Sequence, residues 1–149
     1  MLGRIEKSIE IKASPAKVWE MLALDRQPEW NPSDKSVEYT SKVQTKKDKY
    51  KMGASAHAVL TNKEEFDIEI TERLENEKIV YRFQGIRGVR NVIGTFTLRT
   101  TEVGTKLTFV TDYELSNLLM KMFDKLLVGR TLDKESEKSL EKLKSILEK

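Results

Sequence analysis

Apolar and polar residues alternate along this chain at two different periods, and the change of period divides it into elements. Ile5, Ile9 and Ile11, with Lys7 between them, give period-two alternation from Arg4 to Lys12, the pattern of a half-exposed strand. Ser14-Pro15 then predicts a helix start. Serine is a good N-cap, proline suits the first turn, and Val18, Trp19 and Leu22 share one face of the turns that follow. Pro28 and Pro32 hold any second helix short, with Trp30 between them.

From Ser36 onward the period is two again. Strands are predicted at Val37, Tyr39, Ser41 and Val43; at Ala56 to Thr61; and at Phe66, Ile68 and Ile70, continuing towards Leu74. Three more follow at Ile79, Tyr81 and Phe83; at Gly94, Phe96 and Leu98; and at Leu107, Phe109, Thr111, Tyr113 and Leu115. With the first, these make seven strands, and the connections between them are mainly short, so the sheet is expected to be antiparallel. Gln44 to Lys51 reads as a polar connection, Glu75-Asn76-Glu77 as a turn, and Gln84 to Asn91, with Gly85 and Gly88, as a loop.

The pattern changes to helical from Asn117 to about Glu148, roughly 48 Å at 1.5 Å per residue, so a bend or an overhanging end is expected, with Gly129 the weak point. Its three-and-four stripe runs Leu119, Met122, Leu126, Gly129, Asp133, Ser136, Leu140, Leu143 and Leu147. The middle of that stripe is small or polar. Interiors otherwise fill to near-crystal density, so Gly129, Asp133 and Ser136 suggest the wall of a cavity. The alternative is a small rotation at Gly129 that turns Leu132 inward and Asp133 to solvent.

At 149 residues, 38% hydrophobic and 34% charged, the chain is expected to form one domain over residues 1–149 with a modest core. The absence of cysteine excludes disulfides, thiolate metal sites and cysteine nucleophiles. Net charge is +3 from 27 basic and 24 acidic residues with the signs interspersed, so no nucleic-acid partner is expected. The run of about 18 apolar residues that a membrane span requires is missing, as is a signal-like N-terminus, so the expectation is a cytoplasmic protein without stable membrane insertion.

The order β-α-α-β-β-β-β-β-β-α, together with Val18-Trp19-Glu20-Met21-Leu22 after Ser14-Pro15, Pro28-Glu29-Trp30-Asn31-Pro32, Lys51-Met52-Gly53-Ala54, Gly104-Thr105-Lys106-Leu107-Thr108 and Leu140-Glu141-Lys142-Leu143-Lys144, resembles the START-like superfamily, in particular its polyketide cyclase/dehydrase branch. The resemblance implies an α+β helix-grip fold: a curved seven-stranded antiparallel sheet wrapped round a long C-terminal helix, with two short helices after the first strand. It further implies a deep apolar cavity. Members of the superfamily bind lipids, sterols, polyketides, hormones or quinones, some catalyse cyclisation or dehydration, and others are interaction modules, so fold does not decide function.

Strand phase places Tyr39, Phe66, Ile68, Tyr81, Phe83, Phe96, Phe109, Thr111 and Tyr113 on the face expected to meet the helix. With Trp30, Met122, Leu126, Gly129 and Asp133 they make the expected ligand cavity. The function that follows is carriage or sensing of a hydrophobic or amphipathic small molecule such as a lipid, polyketide or isoprenoid. The alternatives are a cyclase/dehydrase-like enzyme and a protein-interaction module, which leaves room for a protein partner. Candidates for proton transfer in an enzyme are Asp133, Tyr81, Tyr113 and the single histidine, His57. No cofactor is expected, and no His, Asp or Glu cluster has metal-ligand spacing. Two further features stand out: Ile86 and Val89, expected near a cavity mouth, and the cluster Lys42, Lys46, Lys47, Lys49 and Lys51, which reads either as an anion-docking patch or as a solvated tip.

Overall fold

The computed structural model describes residues 2–116 and 125–149, with side chains from residue 3 and, in the last helix, from residue 130. Seven strands, β1 (Leu2–Ile11), β2 (Asp34–Tyr39), β3 (Ser55–Leu60), β4 (Glu65–Leu74), β5 (Lys78–Gln84), β6 (Val89–Thr100) and β7 (Thr105–Leu115), form one sheet. Their order is β1-β7-β6-β5-β4-β3-β2, and every neighbouring pair is antiparallel. From β2 to β7 the chain meanders, through a longer connection over residues 40–54 after β2 and short turns thereafter. β1 and β2, consecutive in sequence, stand at opposite edges. The segment between them must therefore travel from one edge to the other, and it does so through α1 (Pro15–Met21) and a 3-10 helix over Leu24–Glu29.

This crossing is fixed by side chains. The Ser14 hydroxyl accepts from the Lys17 N–H at 3.4 Å, and Pro15 opens the first turn of α1. At the other end of α1, three aromatic heads donate to carbonyls that the helix leaves unpaired: Tyr50 to Glu20 (3.1 Å), Trp30 Nε1 to Met21 (2.7 Å) and Tyr81 to Leu22 (2.6 Å). Tyr39 accepts from the Leu24 N–H and donates to the Lys49 carbonyl. β2 ends at Tyr39, short of the expected Val43, and the chain turns into a 3-10 helix over Lys46–Lys49 capped reciprocally by Thr45 and Asp48.

The last helix, α2 (Lys125–Leu147), has 23 residues and is about 35 Å long. It continues through position 129 without a break in its helical turns; the expected start at Asn117 lies outside the described residues. α2 packs mainly against β1. Lys144 donates to the Glu10 carbonyl, and the Lys12 N–H donates to Glu148, both at 2.9 Å.

The inward stripe of α2 is shifted from the one expected. Leu132, Ser136, Ser139, Leu140 and Leu143 face the sheet, while Asp133 turns outward and its carboxylate meets Lys7 at 3.0 Å. Of the two readings of the helix, the rotated one holds for Leu132 and Asp133. Small residues still occupy the middle of the packed face, but they are Ser136 and Ser139.

The core falls into two clusters. The larger, under α1 and the lower half of α2, contains Ile11, Leu22, Leu24, Ile68, Ile70, Tyr81, Phe96, Leu107 and Leu143; the smaller contains Ile5, Val92, Tyr113 and Leu115, with Leu132, Ile86 and Val89 against it. Phe83 touches both.

Candidate functional site

Between the two clusters lies a cavity of about 250 Å3. Its sheet wall is aromatic: Phe66 from β4, Tyr81 and Phe83 from β5, Phe96 from β6 and Phe109 from β7, with Trp30 from the crossing segment. The rings hold one another in place. Phe96 stacks on Phe109 with centroids 4.3 Å apart and meets Trp30 and Tyr81 edge-on, and Phe66 meets Phe83 at 5.9 Å. Gly94 makes this possible. A Cβ there would lie 2.8 Å from the Phe83 ring and 3.1 Å from Phe109, so glycine lets both rings lie against the backbone of β6. Leu132 and Leu140 of α2, with Ile86 and Val92, complete the apolar part, and Ser136 of α2 lies between the two leucines.

One end of the cavity is polar. Gln27, Asn31, Ser33 and Asp34 contribute from the crossing segment and the start of β2, and Glu135 and Ser139 from α2. Ser139 donates to Asn31 Oδ1 at 3.2 Å and to the Glu135 carbonyl at 2.9 Å, and Asn31 Oδ1 also accepts from the Ser33 N–H. The Asp34 carboxylate has no hydrogen-bond or ion-pair partner among the described residues. Burial alone pushes its carboxyl up to about 6.

Seven of the residues expected at a cavity meet here: Trp30, Phe66, Tyr81, Phe83, Phe96, Phe109 and Thr111. Four others do not. Tyr39 is inward-facing but sits under the 3-10 helix Leu24–Glu29, held by the two bonds described above. Ile68 is buried in the larger core cluster. The ring of Tyr113 lies across Gly3, its cross-strand partner, where a side chain would collide with it. Asp133 is on the outer flank of α2. Met122 lies outside the described residues, as do the side chain of Leu126 and the surroundings of Gly129.

The four proton-transfer candidates do not converge. Tyr81 is fully buried with its proton given to Leu22, and burial raises its phenol well above the ordinary value. Tyr113 is committed to the smaller cluster, and Asp133 to Lys7. His57 is on the outer face of the sheet, with Nδ1 2.9 Å from Asp67, directly opposite in register, and Nε2 2.7 Å from Glu65. Those two carboxylates raise its pKa.

Asp34, Asn31 and Ser139 escape a reading by strand and helix period. The pairing of β2 with β3 shifts register between Asp34 and Ser36, so a bulge reverses the phase and brings Asp34 to the same face as its partner Leu60. Simple alternation from Val37 points Asp34 outward. On α2, the stripe must be displaced by one residue before Ser139 is seen to face inward.

The loop expectations divide. Ile86 lines the cavity, whereas Val89 packs on the smaller cluster. Of the five clustered lysines, Lys46 pairs with Glu20, Lys49 with Asp25 and Lys51 with Asp48. Among the described residues no group of His, Asp and Glu could hold a metal, and no helix is long and apolar enough to cross a membrane.

Comparison with known proteins fits this architecture. Residues 3–148 match the family described as polyketide cyclase / dehydrase and lipid transport, and the chain belongs to that family. A START superfamily protein from Mycobacterium smegmatis is similar in structure, with a TM-score of 0.78 and 16% identity over 97% of each chain. The di-domain ARO/CYC StfQ of the steffimycin biosynthetic pathway superposes with a TM-score of 0.79 at 14% identity, covering 99% of this chain and 52% of that one. A protein from Mesorhizobium loti gives 0.70 at 18% identity, covering 97% and 96% of the two chains. The fold is the helix grip of START-like proteins. No curated protein matches the chain by sequence.

Proposed function

We propose that this protein binds a hydrophobic or amphipathic small molecule in the cavity between sheet and α2, as a carrier or sensor. The observation that carries this reading is a preformed aromatic hollow of about 250 Å3 with a set of polar side chains, Asn31, Ser33, Asp34, Glu135 and Ser139, in its lining. Ligand sites have this composition: an apolar wall supplies affinity and a few polar groups fix orientation. The volume lies at the small end of such sites and suits a compact ligand. Membership of a family described by cyclisation, dehydration and lipid transport supports the same class of ligand.

Carriage or sensing is preferred over catalysis because Asp133, Tyr81, Tyr113 and His57 are dispersed and each is engaged with the protein itself. Interaction through an exposed apolar surface is less favoured, since among the described residues the exposed large apolar side chains are dispersed, Leu74 on β4, Ile93 on β6, and Met52 and Val103 in two separate turns.

The test is titration with Nile red, a neutral dye that brightens in apolar sites. Saturable 1:1 binding to the wild type, and its loss in Ser136→Phe with the fold retained by circular dichroism, is the expected result. Absence of binding to the wild type, or equal binding to the filled variant, would overturn the proposal.

A further inference from the structure

We propose that the ligand carries a cationic ammonium group, which lies against Asp34 while the apolar body fills the aromatic hollow. This deepens the reading above and depends on it. The charge of the wall carries the inference. Among the described residues, the charged groups lining the cavity are Asp34 and Glu135, both acidic, and no lysine, arginine or histidine is in the lining. A wall of this kind attracts a cation and repels a fatty acid or a phosphate.

Asp34 is the more telling of the two. The lysines and arginines near other carboxylates of this protein are paired with them, as Lys7 with Asp133, Lys49 with Asp25 and Arg90 with Glu114. The carboxylate of Asp34, half-buried, has no partner among the described residues. A desolvated carboxylate of this sort is stabilised by an opposite charge at hydrogen-bond distance. Its geometry is also specific: the bulge between Asp34 and Ser36 turns the carboxylate inward, beside Asn31 and Ser139, whose mutual bond leaves the hydroxyl and amide oxygen occupied. Glu135, on the exposed side of α2, extends the same sign of charge towards solvent.

The test is displacement of Nile red by three ten-carbon chains that differ in the head group: decylamine, decanol and decanoate, each below its micelle concentration at pH 8. The wild type is expected to bind decylamine at least tenfold more tightly than decanol, and decanoate least. Asp34→Asn should bring decylamine close to decanol, the amine losing at least tenfold more affinity than the alcohol. A second measurement needs no variant. Glu135 and the Tyr81 phenol, which burial holds well above its ordinary value, are the other titratable groups lining the cavity among the described residues, and protonation of Asp34 at pH 5 should weaken decylamine about tenfold relative to pH 8 with decanol unaffected. Equal affinity for amine and alcohol, tighter binding of decanoate, or an amine preference untouched by both Asp34→Asn and pH would overturn the inference. If decanol binds but the amine is not preferred, the cationic head group fails alone. If none of the three displaces the dye and the dye itself does not bind, the ligand-binding reading fails first.

Discussion

Replacing Asp34 with asparagine should make the folded protein more stable at pH 8 and change it little at pH 4. Burial raises this carboxyl from 3.8 to about 6, and no partner among the described residues offsets the loss of water. For an acid whose folded value is raised, the folded state holds the proton more tightly than the unfolded chain, so the destabilisation is absent below pH 3.8, grows between 3.8 and about 6, and is complete above. At 1.4 kcal/mol per pKa unit, that ionised carboxylate costs about 3 kcal/mol at pH 8 and about 0.5 kcal/mol at pH 4. In a chain of this length the larger figure corresponds to roughly 10 °C in Tm. Asparagine keeps the shape and removes the charge. Urea denaturation of wild type and Asp34→Asn at both pH values measures the difference directly, as does the slope of wild-type stability between pH 4 and 6. A destabilised variant, or a gain that is the same at pH 4 and pH 8, would refute the reasoning, because either would mean that Asp34 is paired or solvated in solution. A residue that lowers stability in the unliganded protein, at the polar end of a cavity, fits a trade of stability for binding.

Other predictions follow from the same geometry. Tyr81→Phe should lose about 1–2 kcal/mol in chemical denaturation, because the Leu22 carbonyl is left without its donor, while Nile red binding persists. Gly94→Ala should cost about 1–3 kcal/mol by forcing Phe83 and Phe109 apart, and should weaken dye binding as the ring wall is disturbed. The His57 imidazole, followed by NMR, should titrate above 6.5; its contribution to stability should be complete below that pH and fade as pH rises through the raised value, and the rise should disappear in Asp67→Asn/Glu65→Gln. Asp133→Asn should change stability by less than about 1 kcal/mol and leave binding intact, since its ion pair with Lys7 is on the surface.

The alternation of Ile79, Tyr81, Phe83 and of Phe96, Leu98 survives in the structure because a sheet packed on one face fixes the inward phase of each strand. The same regularity identifies most of the aromatic wall. What escaped were departures from ideal periods. A single bulge at Asp34 reversed the phase of β2, whereas the exchange of Asp133 for Leu132 at the packed face of α2 is the rotated alternative that the helical stripe itself offered. Tyr113 shares the phase of Phe109 and Thr111, yet a glycine opposite it on β1 draws its ring away from the cavity. The roles of Trp30, Tyr39 and Tyr81 in holding the end of α1 and the segment that follows it depend on contacts between residues far apart in sequence, as with Tyr81 and Leu22. Local pattern carries no trace of these.

The most direct test of the central claim is native mass spectrometry of the wild type and Ser136→Phe after exposure to a lipid and metabolite extract, with the folded state of both checked by circular dichroism. A single small molecule retained 1:1 by the wild type and absent from the filled variant is the predicted result, and its mass would identify the head group. A wild type that emerges bare, or a molecule retained equally by both proteins, would contradict a ligand-binding cavity beneath α2.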